Sequence, residues 1–118
     1  MKDYLLIIDD ELDTCILLTS ILKKQGFKTK YALNLKEGWN IFSEGTPAGV
    51  LLDINLPDGK GYNLIPQIKG VENPPFVIVV SALGGDNKKI AFEKGADFYM
   101  QKPFKIEKVI NTIRECTN

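Results

Sequence analysis

Short runs of apolar residues alternate with segments of helical spacing along this chain. The strongest strand candidates lie at residues 4–8, 50–52, 76–80 and 98–100, and a weaker candidate lies at residues 28–32. The runs are continuous and do not alternate with polar residues, which is typical of strands covered on both faces. The pattern therefore predicts a parallel sheet with a layer of helices on each side.

Five segments between and after these runs are predicted to be helices. Four of them carry apolar stripes at helical spacing: Leu17, Leu18, Ile21 and Leu22; Leu35, Trp39 and Phe42; Leu64, Ile65 and Ile68; and Ile106, Val109, Ile110 and Ile113. The other, at residues 87–94, is short and precedes Gly95, a residue typical of helix ends. Pro66 falls inside the third helix and should kink or shorten it. Five alternating strands and helices predict an α/β fold, a doubly wound three-layer sandwich with right-handed crossovers.

Composition limits the classes of function. The chain has 118 residues, and we expect residues 1–118 to form a single domain. Lys plus Arg and Asp plus Glu both total 15, so charge gives no reason to expect direct binding of nucleic acid or of an anionic membrane. The apolar runs are far shorter than the ~20 residues that cross a bilayer. We expect no membrane span and no signal peptide, and two distant cysteines, Cys15 and Cys116, favour a reduced, cytoplasmic setting.

The sequence contains no histidine. This absence excludes a Ser-His-Asp or Cys-His nucleophilic site, a His-ligated zinc site and a phosphohistidine carrier within the chain. A metal ion here would be bound by oxygen ligands, which favours a hard cation such as Mg²⁺.

Polar residues follow four of the predicted strands at the point where each strand ends. These residues are Asp9, Asp10 and Glu11 after the first strand, then Asp53, Ser81 and Lys102 after the later ones. Each has an ordinary explanation by itself, as a helix cap, a turn residue or a surface charge. Together they would meet at the carboxyl edge of a parallel sheet, where ligands bind in such folds.

A cluster of carboxylates at this edge needs a compensating charge. Two carboxylates about 4 Å apart repel by roughly 4 kcal/mol at an effective dielectric near 20. A divalent cation would remove this repulsion, and Lys102 would offset the remainder, so the pattern predicts a magnesium site. A carboxylate such as Asp53 can also attack phosphorus if the phosphoryl charge is neutralised.

Four motifs in this chain resemble those of a known family, in the same order. They are "IIDDE" at 7–11, "LLDINLPDGKG" at 51–61, "VVSA" at 79–82 and "GADFYMQKPF" at 95–104. The set resembles the receiver domain of two-component response regulators, a CheY-like domain with a flavodoxin-like fold. The resemblance implies a five-stranded parallel sheet of strand order 2-1-3-4-5.

The resemblance also implies a role for each residue of the predicted site. Asp53 is similar to the phosphoacceptor, which takes a phosphoryl group from a sensor histidine kinase or a histidine phosphotransfer domain. Asp10 resembles a direct ligand of Mg²⁺ and Asp9 a ligand acting mainly through water, and Asp53 and the backbone carbonyl of Asn55 would complete the metal site. The chemistry implied is acceptance of the phosphoryl group and its slow hydrolysis, not turnover of a separate substrate.

Further residues are implied to stabilise and transmit the phosphorylated state. Ser81 and Lys102 resemble the groups that contact the phosphoryl oxygens, and Ser81 and Tyr99 resemble a switch pair. The bond before Pro103 is expected to be cis. The surface formed by the fourth helix, the fifth strand and the fifth helix (α4-β5-α5, about residues 87–116) would then bind an output domain, a partner protein or a second copy of the domain. Leu83 is apolar and cannot orient an attacking water, so we expect slow to intermediate loss of the phosphoryl group.

Two alternatives stay open from the sequence. One is a magnesium-dependent phosphatase with an aspartyl phosphate intermediate, although such enzymes generally place a second acid where Asn55 stands. The other is an interaction module with the same fold that is never phosphorylated. Such modules usually lack an acid or the lysine, whereas this chain has both.

Overall fold

The computed structural model describes residues 4–117 and contains a five-stranded parallel sheet. Its strands are β1 (Tyr4–Ile8), β2 (Lys28–Ala32), β3 (Gly49–Leu52), β4 (Phe76–Ser81) and β5 (Phe98–Gln101). Their order across the sheet is β2-β1-β3-β4-β5. The predicted fold class and the 2-1-3-4-5 order are confirmed. The weaker strand candidate at residues 28–32 is also confirmed, as the edge strand β2.

Five α-helices connect and follow the strands. They are α1 (Leu12–Lys24), α2 (Leu35–Glu44), α3 (Ile65–Lys69), α4 (Asp86–Lys94) and α5 (Ile106–Thr117). The third helix is short, five residues long, but the expectation that Pro66 lies in its interior is wrong. A 3₁₀ turn at Gly61–Leu64 precedes it, and Pro66 lies in the first turn of α3, where its missing N–H costs no helical hydrogen bond.

The helices cover both faces of the sheet, which explains the continuous apolar strands. On one face, Leu6, Ile8, Val50, Leu52, Val77 and Val79 pack with Phe42, Ile65, Ile68 and Ala91 from α2, α3 and α4. On the other face, Leu5, Ile7, Leu51, Ile78 and Val80 pack with Leu18, Leu22, Val109 and Ile113 from α1 and α5. Neighbouring residues of one strand thus enter two separate cores.

Strand register brings the candidate polar residues together. Ile8 pairs with Leu52, so the residues that follow them, Asp9 and Asp53, leave adjacent strands at the same level. The Asp53 amide donates to the Ile8 carbonyl at 2.9 Å, and the Lys102 amide donates to the Ser81 carbonyl at 2.8 Å. The backbone therefore fixes four strand ends around one space.

The helix ends and cysteines agree with the sequence. Gly26 and Gly95 follow α1 and α4 with φ of 89° and 116°, backbone conformations that glycine adopts without strain. Cys15 and Cys116 form no disulfide. Within residues 4–117, no helix has the length and apolar character needed to cross a bilayer.

Candidate functional site

Four acidic side chains form the centre of the candidate site. Carboxylate oxygens of Asp9, Asp10, Glu11 and Asp53 all lie within 4.8 Å of one another. Asp9 and Asp53 are buried, with 3% and 7% of their surfaces exposed, while Asp10 and Glu11 face solvent. Oxygen donors crowded in this way fit a hard divalent cation such as Mg²⁺, which takes carboxylates, carbonyls and waters as ligands.

Lys102 provides the positive charge that this cluster requires. Its Nζ lies 2.8 Å from Asp9 Oδ2, 3.2 Å from Glu11 Oε1 and 3.5 Å from Asp53 Oδ2. Burial alone would lower the pKa of Lys102, but the hydrogen bond to Asp9 and the charge of Asp53 raise it above its ordinary value. Lys102 is therefore charged at neutral pH and adjoins three of the four acids.

The Asp53 carboxyl has one constrained oxygen and one that faces Lys102. Its Oδ1 accepts a hydrogen bond from the Ile54 amide at 2.8 Å, while Oδ2 points toward the lysine. Burial raises the pKa of Asp53, and the Lys102 charge opposes that shift without cancelling it. An ionised Asp53 is thus a poorly solvated carboxylate, and such a group gains stability from a cation or a new bond.

Asp53 opens into a cavity of about 240 Å³. The cavity is lined by Asp10, Glu11, Asp53, Asn55, Ser81, Ala82, Leu83 and Lys102. This set contains residues from four strand ends and includes most of the predicted site. Asp9 lies behind it, bonded to Lys102 and to the Glu11 amide at 2.9 Å.

A tight hairpin after β3 forms one wall of the site. Residues 55–56 pair antiparallel with residues 59–60, and the Gly61 amide then donates to the Ile54 carbonyl at 2.6 Å. A Cβ at Gly61 would lie 1.9 Å from the Asp53 carbonyl oxygen. Only glycine allows the chain to fold back this closely beside Asp53.

Ser81 and Tyr99 both contact the loop that follows β4. The Leu83 amide donates to Ser81 Oγ at 3.1 Å, and the Tyr99 hydroxyl donates to the Leu83 carbonyl. Ser81 is buried, and partial burial raises the pKa of the Tyr99 hydroxyl. The two predicted switch residues are thus linked through one residue, Leu83. The bond between Lys102 and Pro103 is cis.

Two contacts around the site were not predicted from the sequence. Glu11 was noted among the gathered acids but was given no role, and it contacts Lys102 as well as the acidic cluster. Lys60 Nζ donates to Asn55 Oδ1 at 3.0 Å across the hairpin. For the contact between Glu11 and Lys102, the only signal in the sequence was that Glu11 follows Asp10. The contact between Lys60 and Asn55 depends on the pairing of the hairpin strands, which the sequence pattern did not predict.

The hairpin is also joined to α2 by an acidic cap. Asp58 accepts hydrogen bonds from the amides of Leu35 at 2.8 Å and Lys36 at 3.0 Å, beside the Asn34 side chain, which accepts from Glu37. These two amides lower the pKa of Asp58. The cap thus anchors the hairpin wall of the site to the N-terminus of α2, which packs on β1 and β2.

Known proteins resemble this chain along nearly its whole length. The sequence model of the family described as "Response regulator receiver domain" matches residues 5–114. The chain is 34% identical to "Uncharacterized transcriptional regulatory protein YvcP" of Bacillus subtilis, over 93% of the chain and 46% of that protein. It is 29% identical to "Sporulation initiation phosphotransferase F" of the same organism, over 98% of the chain and 94% of that protein.

Solved structures show the same architecture. A two-component response regulator from Clostridium difficile superposes with a TM-score of 0.92 and 25% identity, over 98% of this chain and 96% of that one. The chain spans about half the length of relatives such as YvcP. Relatives of this chain therefore include proteins of about its own length and proteins about twice as long.

Proposed function

This chain belongs to the response regulator receiver domain family, and from that premise we propose that Asp53 accepts a phosphoryl group in a Mg²⁺-dependent reaction. The donor would be a phosphohistidine on a sensor histidine kinase or a histidine phosphotransfer domain. It would lie outside these 118 residues, because they contain no histidine. The observation that supports this most strongly is the position of Asp53. It is a buried carboxylate that opens into a cavity beside three acids and a lysine.

The proposed reaction forms one bond and breaks one. An Asp53 oxygen attacks phosphorus, the P–N bond of the phosphohistidine breaks, and the imidazole nitrogen keeps the electron pair of that bond. Bound Mg²⁺ would neutralise phosphoryl charge in this step. Asp10, Asp53 and the backbone carbonyl of Asn55 would be its direct ligands, with Asp9 acting through water.

Lys102 and Ser81 have complementary tasks in this proposal. Lys102 Nζ lies 3.5 Å from Asp53 Oδ2 and 2.8 Å from Asp9 Oδ2, so its ammonium group is within reach of a phosphoryl oxygen carried by Asp53. Ser81 lines the cavity, its Oγ accepts from the Leu83 amide, and its hydroxyl is the group that would donate to a phosphoryl oxygen. Both groups stabilise the negative charge that the phosphoryl group brings into the cavity.

The same contacts would report phosphorylation to the surface. A phosphoryl group that bonds Ser81 changes the loop whose Leu83 carbonyl accepts the Tyr99 hydroxyl. We therefore propose that phosphorylation shifts an existing equilibrium of Ser81, Leu83 and Tyr99, and that α4, β5 and α5 present the change to a partner. YvcP bears the name of a transcriptional regulatory protein. An output domain, a separate partner or a second copy of this domain would bind the surface of α4, β5 and α5. We propose that this binding takes place in the cytoplasm.

Exposed apolar side chains beside the site form a patch that would provide a binding surface for the phosphodonor. Leu12, Ile16 and Leu17 on α1 and Ile106 at the start of α5 are 45% to 53% exposed. Leu12 follows Glu11 directly, and Ile106 lies four residues after Lys102, so both lie at the edge that carries the site. A helical donor could pack on this patch while its phosphohistidine enters the cavity.

The proposal is tested by incubation with the small phosphodonor acetyl phosphate. We expect the intact mass of the wild-type protein to rise by one phosphoryl group with Mg²⁺ but not with EDTA, and not in Asp53→Asn. Glu72→Gln, a change of an exposed loop acid outside the site, should behave as wild type. A folded wild-type protein that binds Mg²⁺ and is never modified would contradict the proposal and favour the phosphorylation-independent interaction module.

A further inference from the structure

The hairpin after β3 brings a second cation to the mouth of the site. Lys60 pairs across the hairpin with Asn55, and its Nζ donates to Asn55 Oδ1 at 3.0 Å. Asn55 lines the same cavity as Asp53. The contact between Gly61 and the Ile54 carbonyl fixes the hairpin, so Lys60 and Asn55 stay opposite each other, and the exposed Lys60 side chain reaches Asn55 Oδ1 from there.

This hydrogen bond determines which end of the Asn55 amide is available. An asparagine side chain has one acceptor, Oδ1, and one donor group, Nδ2. Lys60 occupies Oδ1, and Nδ2 remains to contact anionic oxygens in the cavity. A phosphoryl oxygen is such an anion and would accept a hydrogen bond from Nδ2. A water that attacks phosphorus is oriented by donating a hydrogen bond to an acceptor, and Oδ1 is the acceptor of this side chain.

Few other acceptors could orient that water. Leu83, which also lines the cavity, has an apolar side chain, and its backbone carbonyl accepts the Tyr99 hydroxyl. Glu11 is bonded to Lys102. In the proposed function Asp10 is bound to Mg²⁺. Among residues 4–117, the neutral side chains with an acceptor oxygen that line the cavity are those of Asn55 and Ser81. The proposed function assigns Ser81 to the phosphoryl group, which leaves Asn55 Oδ1 for the water, and Lys60 competes with water for it.

We propose that Lys60 is a positioning residue that lengthens the lifetime of the phosphorylated protein by keeping Asn55 Oδ1 from the hydrolytic water. This inference rests on the proposed function of Asp53. In the step that Lys60 slows, a water oxygen bonds to phosphorus, the bond between phosphorus and the Asp53 oxygen breaks, and the carboxylate leaves with the electron pair. Inorganic phosphate and a proton are released.

The test compares variants that keep or remove the donor at position 60. Each protein is phosphorylated with acetyl phosphate and Mg²⁺, the donor is removed, and loss of the phosphoryl group is followed by intact mass. Release of one ordinary hydrogen bond makes an acceptor about two- to tenfold more available. We expect Lys60→Met to shorten the lifetime by about that factor, and Lys60→Arg, which still donates, to keep the wild-type lifetime. Lys24→Met is the matched control, since α1 places it about 18 Å from the site edge.

A double substitution separates positioning from simple loss of charge. Asn55→Ala has no side-chain acceptor, so adding Lys60→Met to it should not change the lifetime further. An unchanged or longer lifetime of phosphorylated Lys60→Met would overturn the inference. It would also be overturned if Lys60→Met shortened the lifetime by the same factor in the wild-type and the Asn55→Ala backgrounds. Failure of the wild-type protein to become phosphorylated at all would instead overturn the proposed function of Asp53.

Discussion

Replacement of Asp53 by Asn is predicted to stabilise the metal-free protein. Oxygens of Asp53 and Asp9 lie within 4.8 Å of each other, and two charges at that distance repel by about 3.5 kcal/mol at an effective dielectric near 20. Lys102, 3.5 Å from Asp53, attracts it by about 4.7 kcal/mol on the same basis. These two contributions nearly cancel, and the repulsion from Asp10 is weaker because its carboxylate is exposed to water, so the cost of burying the Asp53 charge decides the sign.

The expected gain is moderate because the cavity admits some water. We expect the free energy of unfolding at pH 7 without metal to rise by about 1 to 3 kcal/mol in Asp53→Asn. Asparagine keeps an acceptor for the Ile54 amide, so the backbone contact survives. Glu72→Gln, the exposed control, should change stability by less than about 0.5 kcal/mol.

The pH dependence has a defined sign. Burial raises the native-state pKa of Asp53 above its ordinary value of 3.8. Between those two pKa values the native state binds more protons than the unfolded state, so this residue makes the wild type less stable as pH rises. The advantage of Asp53→Asn should therefore be absent below pH 3.8, grow as pH rises to the native-state pKa, and stay constant above it.

Mg²⁺ should reverse the order of stability. Above its dissociation constant, each tenfold increase in Mg²⁺ adds about 1.4 kcal/mol to the stability of a protein that binds it only when folded. The wild type should gain more than Asp53→Asn, which has lost a ligand. Urea unfolding of both proteins with EDTA and across a Mg²⁺ series measures this. A less stable metal-free Asp53→Asn, or equal gains from Mg²⁺, would refute the reasoning.

Three further substitutions test other contacts. Lys102→Met removes the cation from two buried carboxylates and should cost about 3 to 5 kcal/mol without metal; a loss below about 1 kcal/mol in urea unfolding would contradict this. Gly61→Ala forces a Cβ against the Asp53 carbonyl and should cost about 1 to 3 kcal/mol. Gly45→Ala, with no atom within 4 Å of its Cβ, is the control, and equal thermal stability of the two variants would contradict the close contact. Leu83→Asn supplies a polar group at the cavity and should shorten the lifetime of the phosphorylated protein, measured by intact mass; an unchanged lifetime would remove Leu83 from the water route.

The layers of the fold could be predicted because the apolar runs carry the information directly. A strand such as Tyr4–Ile8 is apolar at every position, and the structure sends alternate residues into two cores. The central site residues could be located because they stand at strand ends: Asp9, Asp53 and Lys102 directly follow β1, β3 and β5, and Ser81 is the last residue of β4. Position relative to a strand end is a property of the sequence, and parallel strands turn it into proximity.

Contacts made by loops could not be predicted in this way. Asp58 bonds amides 22 and 23 residues earlier in the chain, and Lys60 bonds Asn55 only because a two-residue turn reverses the chain between them. Such contacts depend on turn geometry and on neighbouring elements. The spacing of hydrophobic residues contains no information on turn geometry or on neighbouring elements. In the sequence, Lys60 therefore could not be distinguished from other exposed lysines.

Location of the phosphoryl group is the most direct test of the central claim. Wild-type protein treated with acetyl phosphate and Mg²⁺ would be reduced with borohydride, which converts an aspartyl phosphate to homoserine, and then digested and sequenced by mass spectrometry. We predict homoserine at residue 53, dependent on Mg²⁺, and unmodified Asp9 and Asp10. Modification at another carboxylate, or no modification of a folded protein that binds Mg²⁺, would contradict the assignment of Asp53 as the phosphoacceptor.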